Sequence, residues 1–312
     1  MRVLFVLDPL EQLQLETETS LLLAAEFQRR GHETWYSLEE DFTVTDQGVY
    51  TTAHKLNVLP TGAPQAGEVQ VEDASEFSLI LMRQDPPVDA AYRFVAQALT
   101  SVGERAVVVN KPESVLAWNE KLLPLHFPDL CPPTLVSRHV EALEEFVRAQ
   151  GTAVVKPISE CSGRGIHVVT AETAPPVIRA TLQRYPGDPV IVQRYLPEVL
   201  SGDKRLFLVG GECIGAVNRV PAAPDKLANI HQGARVEATA LNARDRYVVE
   251  RVGPFLRQHG LWLAGLDVIG GFLTEVNVTS PSALRQINAV TGKRHEPRVV
   301  DFLERLVTQR CP

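Results

Sequence analysis

Between Gly265 and Ser282 the chain reads GLDVIGGFLTEVNVTSPS, an apolar strand with an acid in its middle, a Gly-Gly turn and a second strand. Side chains alternate along a strand, so Glu275 and Asn277 share one face and Val276 and Val278 the other. Asp267 sits across the Gly270-Gly271 turn, so three oxygen-bearing side chains can converge. Acids are costly inside strands unless a counter-charge meets them. The hairpin therefore calls for a sheet buried on its valine side and charged on the other. Hard cations such as Mg²⁺ use a few carboxylate or carbonyl oxygens and complete their shell with water and phosphate. The competing reading is a solvated face, or an acid paired with a nearby arginine.

The rest of the chain alternates strands and helices. RVLFVL is a buried parallel strand, and TETSLLLAAEFQRRGHE a helix with a Thr cap and Gly31 as its stop. Strands over TWYSL, FTVTDQGVYTTAHKLNV and SLILM, a helix over AAYRFVAQALTSVG and a strand AVVVN give an open α/β domain up to residue 120. Residues 60–75, rich in Pro, Gly and small side chains, read as a surface loop. Beyond lie a short helix NEKLLPLHFP and a strand–loop–strand TAVVKPISECSGRGIHVV whose connection exceeds the usual hairpin length of about 2–5 residues. Then come PVIVQRYLPE, antiparallel strands across Gly210-Gly211, a polar loop 222–239, a helix ARDRYVVERVGPFLRQHG, the opening hairpin and a closing helix RVVDFLERLVTQR.

Several side chains carry chemistry. Lys156 ends an apolar strand before the Gly/Ser loop, where an ammonium suits phosphate oxygens. That loop, with Ser162 and Gly163, could lay backbone N–H groups over phosphates, although it is neither a Walker A sequence nor a dinucleotide fingerprint. Gln193, Tyr195 and Leu196 could line an apolar slot for a base edge; an ordinary linker is the plainer reading. Asp203, Arg205, Arg219 and Arg285 fit carboxylate or phosphate recognition in the same C-terminal sheet as the acids. The eight histidines show no metal-ligand spacing. A net charge of −7 argues against a nucleic-acid or anionic-membrane partner. Four cysteines without a CxxC unit, no signal-peptide core and no run of about 18 apolar residues point to a reducing cytoplasm and no membrane span.

The motifs FVLDPL, LMRQDPP, VVNKPESV, NEKL, VVKP, QRYLP, GDKRLFLV, GLDVIG and LTEVNVTSP, in this order over residues 1–290, resemble the bacterial glutathione synthetases of the ATP-grasp superfamily. The resemblance implies an ATP-grasp fold: an N-terminal open α/β domain (1–120), a central lid subdomain (121–197) and a C-terminal catalytic subdomain (198–312), the last two being antiparallel-sheet α+β units clasping ATP. It implies ATP phosphates held by Lys121, Lys156, Ser162 and Gly163, with Asp203 nearby, and adenine met by Gln193, Tyr195 and Leu196. Two Mg²⁺ ions, or Mn²⁺, would sit on Asp267, Glu275 and Asn277. Arg205, Arg219 and Arg285 would serve the substrate carboxylate and transferred phosphoryl, and Asn229, Asn277, Ser280 and Arg285 the substrates. The implied reaction activates a carboxylate as an acyl phosphate for attack by an amine, joining γ-glutamylcysteine and glycine, in a homo-oligomer.

Two stretches depart from the family. Its central loop resembles Lys-Pro-Leu-Asp-Gly-Met-Gly-Gly; here it is KPISECSGRG, with Glu160 and Ser162 in place of glycines. Its substrate loop resembles Asn-Leu-Ala-Ala-Gly-Gly, whereas NIHQG at 229–233 is more similar to the Asn-Leu-His-Arg-Gly of ATP-grasp amino-acid ligases. A different acid and amine, or a non-catalytic nucleotide-binding relative, are the alternatives.

Overall fold

The computed structural model describes residues 1–103, 105–161, 163–222 and 234–310. The N-terminal sheet contains β1 (Arg2–Val6), β2 (Glu33–Ser37), β3 (Phe42–Val44), β4 (Val49–Val58), β5 (Pro64–Asp73), β6 (Leu79–Met82) and β7 (Val107–Val109). Its order is β3-β4-β2-β1-β6-β7, with β5 on β4; β1, β2, β6 and β7 run parallel. Val3 to Val6 are fully buried, as a strand apolar on both faces requires. The flanking helices are α1 (Thr19–Arg29), α2 (Ala90–Val102) and α3 (Pro112–Ala117), the last unread in the sequence.

Two expectations need correction here. Helix α1 is capped by Glu18, whose carboxylate accepts the Ser20 N–H at 2.6 Å, and not by a threonine. Residues 64–73 are a strand, not a loop, paired antiparallel with β4 from Val58↔Pro64 to Tyr50↔Asp73. Its side chains face solvent, with Val71 75% exposed, so no buried face stamps a period of two on the sequence. Pairing supplies what composition does not.

The central unit is β8 (Thr134–Ser137), α4 (Val140–Gln150), β9 (Thr152–Pro157), β10 (His167–Thr170), α5 (Ala174–Arg184) and β11 (Val190–Arg194). Its antiparallel sheet, ordered β10-β9-β11-β8, packs Ala153, Val155 and Val192 against Leu143, Val147 and Ile178 of the two helices. The stretch read as a short helix before it is a 3-10 turn, Leu123–His126.

The C-terminal sheet, β14-β13-β12-β15-β16, is antiparallel. It is built from β12 (Asp203–Val209), β13 (Glu212–Val220), β14 (Arg235–Ala238), β15 (Leu263–Ile269) and β16 (Phe272–Asn277), with helices α6 (Ala243–Gln258), α7 (Leu284–Thr291) and α8 (Glu296–Arg310). Strand β14 takes the end of the expected polar loop; residues 223–233 lie outside the described residues. Gly270 and Gly271, at φ +57° and +82°, make the two-residue turn whose twist suits a hairpin. Leu206, Leu208, Leu266, Val276 and Val278 bury one face against α6. On the other face, Phe207, Val209 and Leu263 pack with α7 and α8, which also meet the N-terminal sheet through Val299 and Leu303. Among the described residues, no helix is long and apolar enough to cross a membrane.

Candidate active site

Strand alternation leaves one end of the C-terminal sheet charged. Residues Leu206 and Leu208 point to α6, so Asp203 and Arg205 point the other way. The register sets Asp203 beside Arg219, Arg205 beside Asp267, and Asp267 beside Glu275. These side chains line a cleft of about 760 Å³ whose opposite wall is the central sheet. The N-terminal unit adds Asp85 and Pro86 at the mouth.

Asp267 is 5% exposed and held by two guanidinium groups. Arg205 binds it in bidentate fashion, Nε to Oδ1 at 2.5 Å and Nη2 to Oδ2 at 2.9 Å. Arg219 bridges Asp267 at 3.0 Å and Asp203 at 2.6 Å. Burial pushes the Asp267 carboxyl up, but Arg205 and Arg219 overcome it and hold the group well below the usual carboxylate range. Burial and the charge of Asp267 push Asp203 up to about 7, against the pull of Arg219 and Arg205.

Two lysines approach from the other side. Lys156, buried on β9, donates to Gln193 Oε1 at 3.2 Å, and burial pushes its ammonium below the usual lysine range. Lys121 Nζ lies 3.4 Å from Glu275 Oε1 and donates to the backbone oxygen of Glu160. The Gln193 amide is spent on Lys156 and on Thr134 Oγ1 at 2.8 Å, and the Tyr195 N–H on Thr152 O. Gln193 and Leu196 are buried, and Tyr195 is half-buried on the cleft wall. Gly163 lies in the loop over the cleft, and Ser280 at its mouth donates to Arg83 O at 3.0 Å.

The acids and Asn277 form an oxygen donor set that fits a hard cation. Among the described residues no three His, Cys, Asp or Glu side chains form a metal cage. Asp267 and Glu275 are cross-strand neighbours, and the Asn277 side-chain amide donates to Asp267 Oδ2 at 3.4 Å. Such a partial set suits Mg²⁺, which keeps water or phosphate in its remaining positions.

The structure does not bring Arg285 into the cleft. Its Nε donates to Glu18 O at 2.7 Å, and its terminal nitrogens lie beside Gly62. The reason is the turn after Ser282: Ala283 starts α7 at φ +101°, and the next turn of helix faces the N-terminal unit. Ser162 and Asn229 lie outside the described residues.

Sequence reasoning missed other groups. Glu120 accepts from Val278 N at 2.7 Å, Thr279 N at 2.9 Å and Thr279 Oγ1 at 2.8 Å, locking the end of the hairpin. Burial and nearby Glu275 push its carboxyl up. Asn110 joins the two large sheets by hydrogen bonds to Leu263 and Val278. Arg83 is 4% exposed and has no carboxylate partner among the described residues. It donates to Ser20 Oγ and Pro281 O, while its Nη1 finds no acceptor. Asp8 accepts the Asp85 N–H at 2.9 Å. Asp8, Arg83 and Asp85 all lie just past the carboxyl ends of β1 and β6, where open parallel sheets bind ligands. That rule was the available signal for them; Glu120 and Asn110 offer none in their local spacing.

Comparison with known proteins now adds to this geometry. The family model for the prokaryotic glutathione synthetase N-terminal domain matches residues 1–115, and that for the prokaryotic glutathione synthetase ATP-grasp domain residues 120–292. A glutathione synthetase of Parasynechococcus marenigrum (strain WH8102) is 40% identical over 311 residues, covering 98% of this chain and 99% of that protein. One of Gloeobacter violaceus is 39% identical, covering 97% and 96%. Among solved structures, the D-cycloserine synthetase DcsG superposes with a TM-score of 0.71 at 17% identity, over 98% of this chain and 99% of that one. The RimK domain protein ATP-grasp from Sphaerobacter thermophilus does so at 0.64 and 19%, over 97% and 99%. These last two likenesses establish an ATP-grasp fold. By family models covering nearly its whole length, and by relatives matched end to end, this chain belongs to the prokaryotic glutathione synthetase family.

Proposed function

We propose that the cleft binds ATP with Mg²⁺ and joins the cysteinyl carboxylate of γ-glutamylcysteine to the amine of glycine. The observation that carries this is the convergence of Lys121 and Lys156 on Asp267, Glu275 and Asn277 across one cleft, with Arg205 and Arg219 behind the acids. A carboxylate is a poor electrophile, and phosphorylation turns it into a good one. Lys121 and Lys156 would orient the triphosphate, and the buried wall at Leu196 would take the base. Arg205 and Arg219, fixed by Asp267 and Asp203, are preorganised to stabilise charge on the transferred phosphoryl and the substrate carboxylate. Mg²⁺ on Glu275, Asn277 and Asp267 would neutralise phosphate charge; we assign two ions, as the family resemblance implies. The central unit would keep water from the activated acid. A homo-oligomer in the cytoplasm completes the reading.

A second reading, another acid and amine with the same chemistry, is favoured by the NIHQG sequence at 229–233, outside the described residues. ADP release from ATP is the test, with γ-glutamylcysteine plus glycine beside a panel of other acids and amines. Release with the first pair, lost in Glu275→Ala, supports glutathione synthesis. Release only with another pair moves the substrate assignment, and silence throughout with ATP still bound sinks the catalytic reading.

A further inference from the structure

The loop from β9 to β10 carries a side-chain anchor, Glu160, where the family pattern has a glycine. Glu160 Oε1 accepts from the Tyr185 hydroxyl at 2.8 Å, just beyond α5. Its Oε2 accepts from Arg164 Nε at 2.7 Å. Arg164 Nη2 in turn lies 3.2 Å from Cys161 Sγ, and the Cys161 thiol donates to Pro86 O at 3.3 Å, across the mouth of the cleft. The backbone oxygen of Glu160 takes the Lys121 ammonium, which also faces Glu275. A glycine at position 160 could supply that oxygen but neither carboxylate contact. Tyr185 and Arg164 both hold the Glu160 carboxyl below the usual range, so it is a charged acceptor at neutral pH.

We propose that Glu160 is a positioning residue for nucleotide binding. Strapped between Tyr185 and Arg164, it fixes the loop over the cleft and presents its own carbonyl to Lys121. The lysine is thus aimed along the cleft before the nucleotide arrives. A loop ordered in advance loses less conformational freedom on binding, which raises affinity without altering the chemical step. The inference rests on the cleft being the ATP site, and its effect belongs to ATP affinity rather than turnover.

The test is ATP binding by calorimetry with Mg²⁺ present, steady-state kinetics, and amide hydrogen exchange over residues 158–166, all on the full chain. Glu160→Ala should raise the ATP Kd and KM about tenfold, a change of about 1.4 kcal/mol, with kcat within about twofold. Glu160→Gln keeps an acceptor for Tyr185 and should recover to within about threefold of wild type. Tyr185→Phe should weaken ATP about threefold in the wild-type background and have no effect beside Glu160→Ala, because the two act as one unit. Exchange in the loop should quicken in Glu160→Ala without nucleotide. An unchanged Kd in Glu160→Ala, additive effects of the two substitutions, or unchanged exchange would each overturn the strap while leaving the ATP site standing. A wild-type chain that binds no ATP would overturn both.

Discussion

At the scale of single residues, the acids of the hairpin divide into two kinds. Asp267 is the shared counter-charge of two buried arginines, whereas Glu275 is 25% exposed at its side chain and pairs with Lys121 at 3.4 Å. Removing one partner of a buried ion pair costs roughly 3–5 kcal/mol, because the other charge stays buried. Asp267→Ala is therefore expected to lose stability on that scale together with activity. Glu275→Ala should lose activity while its urea midpoint stays near wild type. Equal destabilisation of the two would mean that Glu275 belongs to the structural framework. The roles differ although the sequence presents both acids alike. Alternation made the shared face of Glu275 and Asn277 legible, since a period of two needs no tertiary information, and the Gly270-Gly271 turn brought Asp267 across from them. The pairing of Asp267 with Arg205 and Arg219 was not legible, because it depends on the register of three strands. Arg285 follows the same hairpin and looked equivalent to the other arginines, but one helical turn carries it to Glu18.

At the scale of elements, what could be read was what has a buried face. Strands β1, β6, β12 and β15 show in the sequence as largely continuous apolar runs, and helices α1, α2, α4 and α6 as apolar sets at helical spacing. Strand β5, exposed along most of its length, carries no such period, and α3 and α7, six and eight residues long, are too short to repeat one over more than two turns. Close packing of elements is also silent in the pattern. Helix α6 contains Gly253, whose missing side chain lets the helix rest on the Gly211 carbonyl of the β12–β13 turn. A methyl there would meet backbone atoms that cannot swing aside as a side chain can. Gly253→Ala, which by helix propensity alone should help by about 1 kcal/mol, is instead expected to destabilise by roughly 1–3 kcal/mol through overpacking. Chemical denaturation of the purified variant checks this; a stabilised variant would show that the turn can move away.

At the scale of the whole molecule, the chain closes on itself, and ion pairs do part of the fastening. Glu26 on α1 is 1% exposed and accepts from Arg29 of its own helix, from Arg30 just after it, and from Arg294, just before α8, at 2.7 Å. Arg30 reaches Asp301 and Glu304 on α8, both at 2.7 Å. The closing helix was legible as a helix, but its docking on the first helix was not, because residues some 270 apart share no local pattern. The hydrogen bond from Arg29, with help from Arg30, lowers the Glu26 carboxyl from 4.5 to about 2 against the opposing effect of burial. A carboxyl lowered by folding binds fewer protons in the native chain than in the unfolded one, so its contribution is fully present above pH 4.5 and is lost as pH falls towards 2. The size is on the order of 3 kcal/mol, since each tenfold change in proton affinity is worth about 1.36 kcal/mol. Glu26→Gln should accordingly lower stability at neutral pH and remove part of the wild-type decline between pH 4.5 and 2. Thermal melts of the two proteins across that range measure it: converging melting temperatures at low pH support the clasp, and parallel curves would show that the Glu26 charge adds nothing to it.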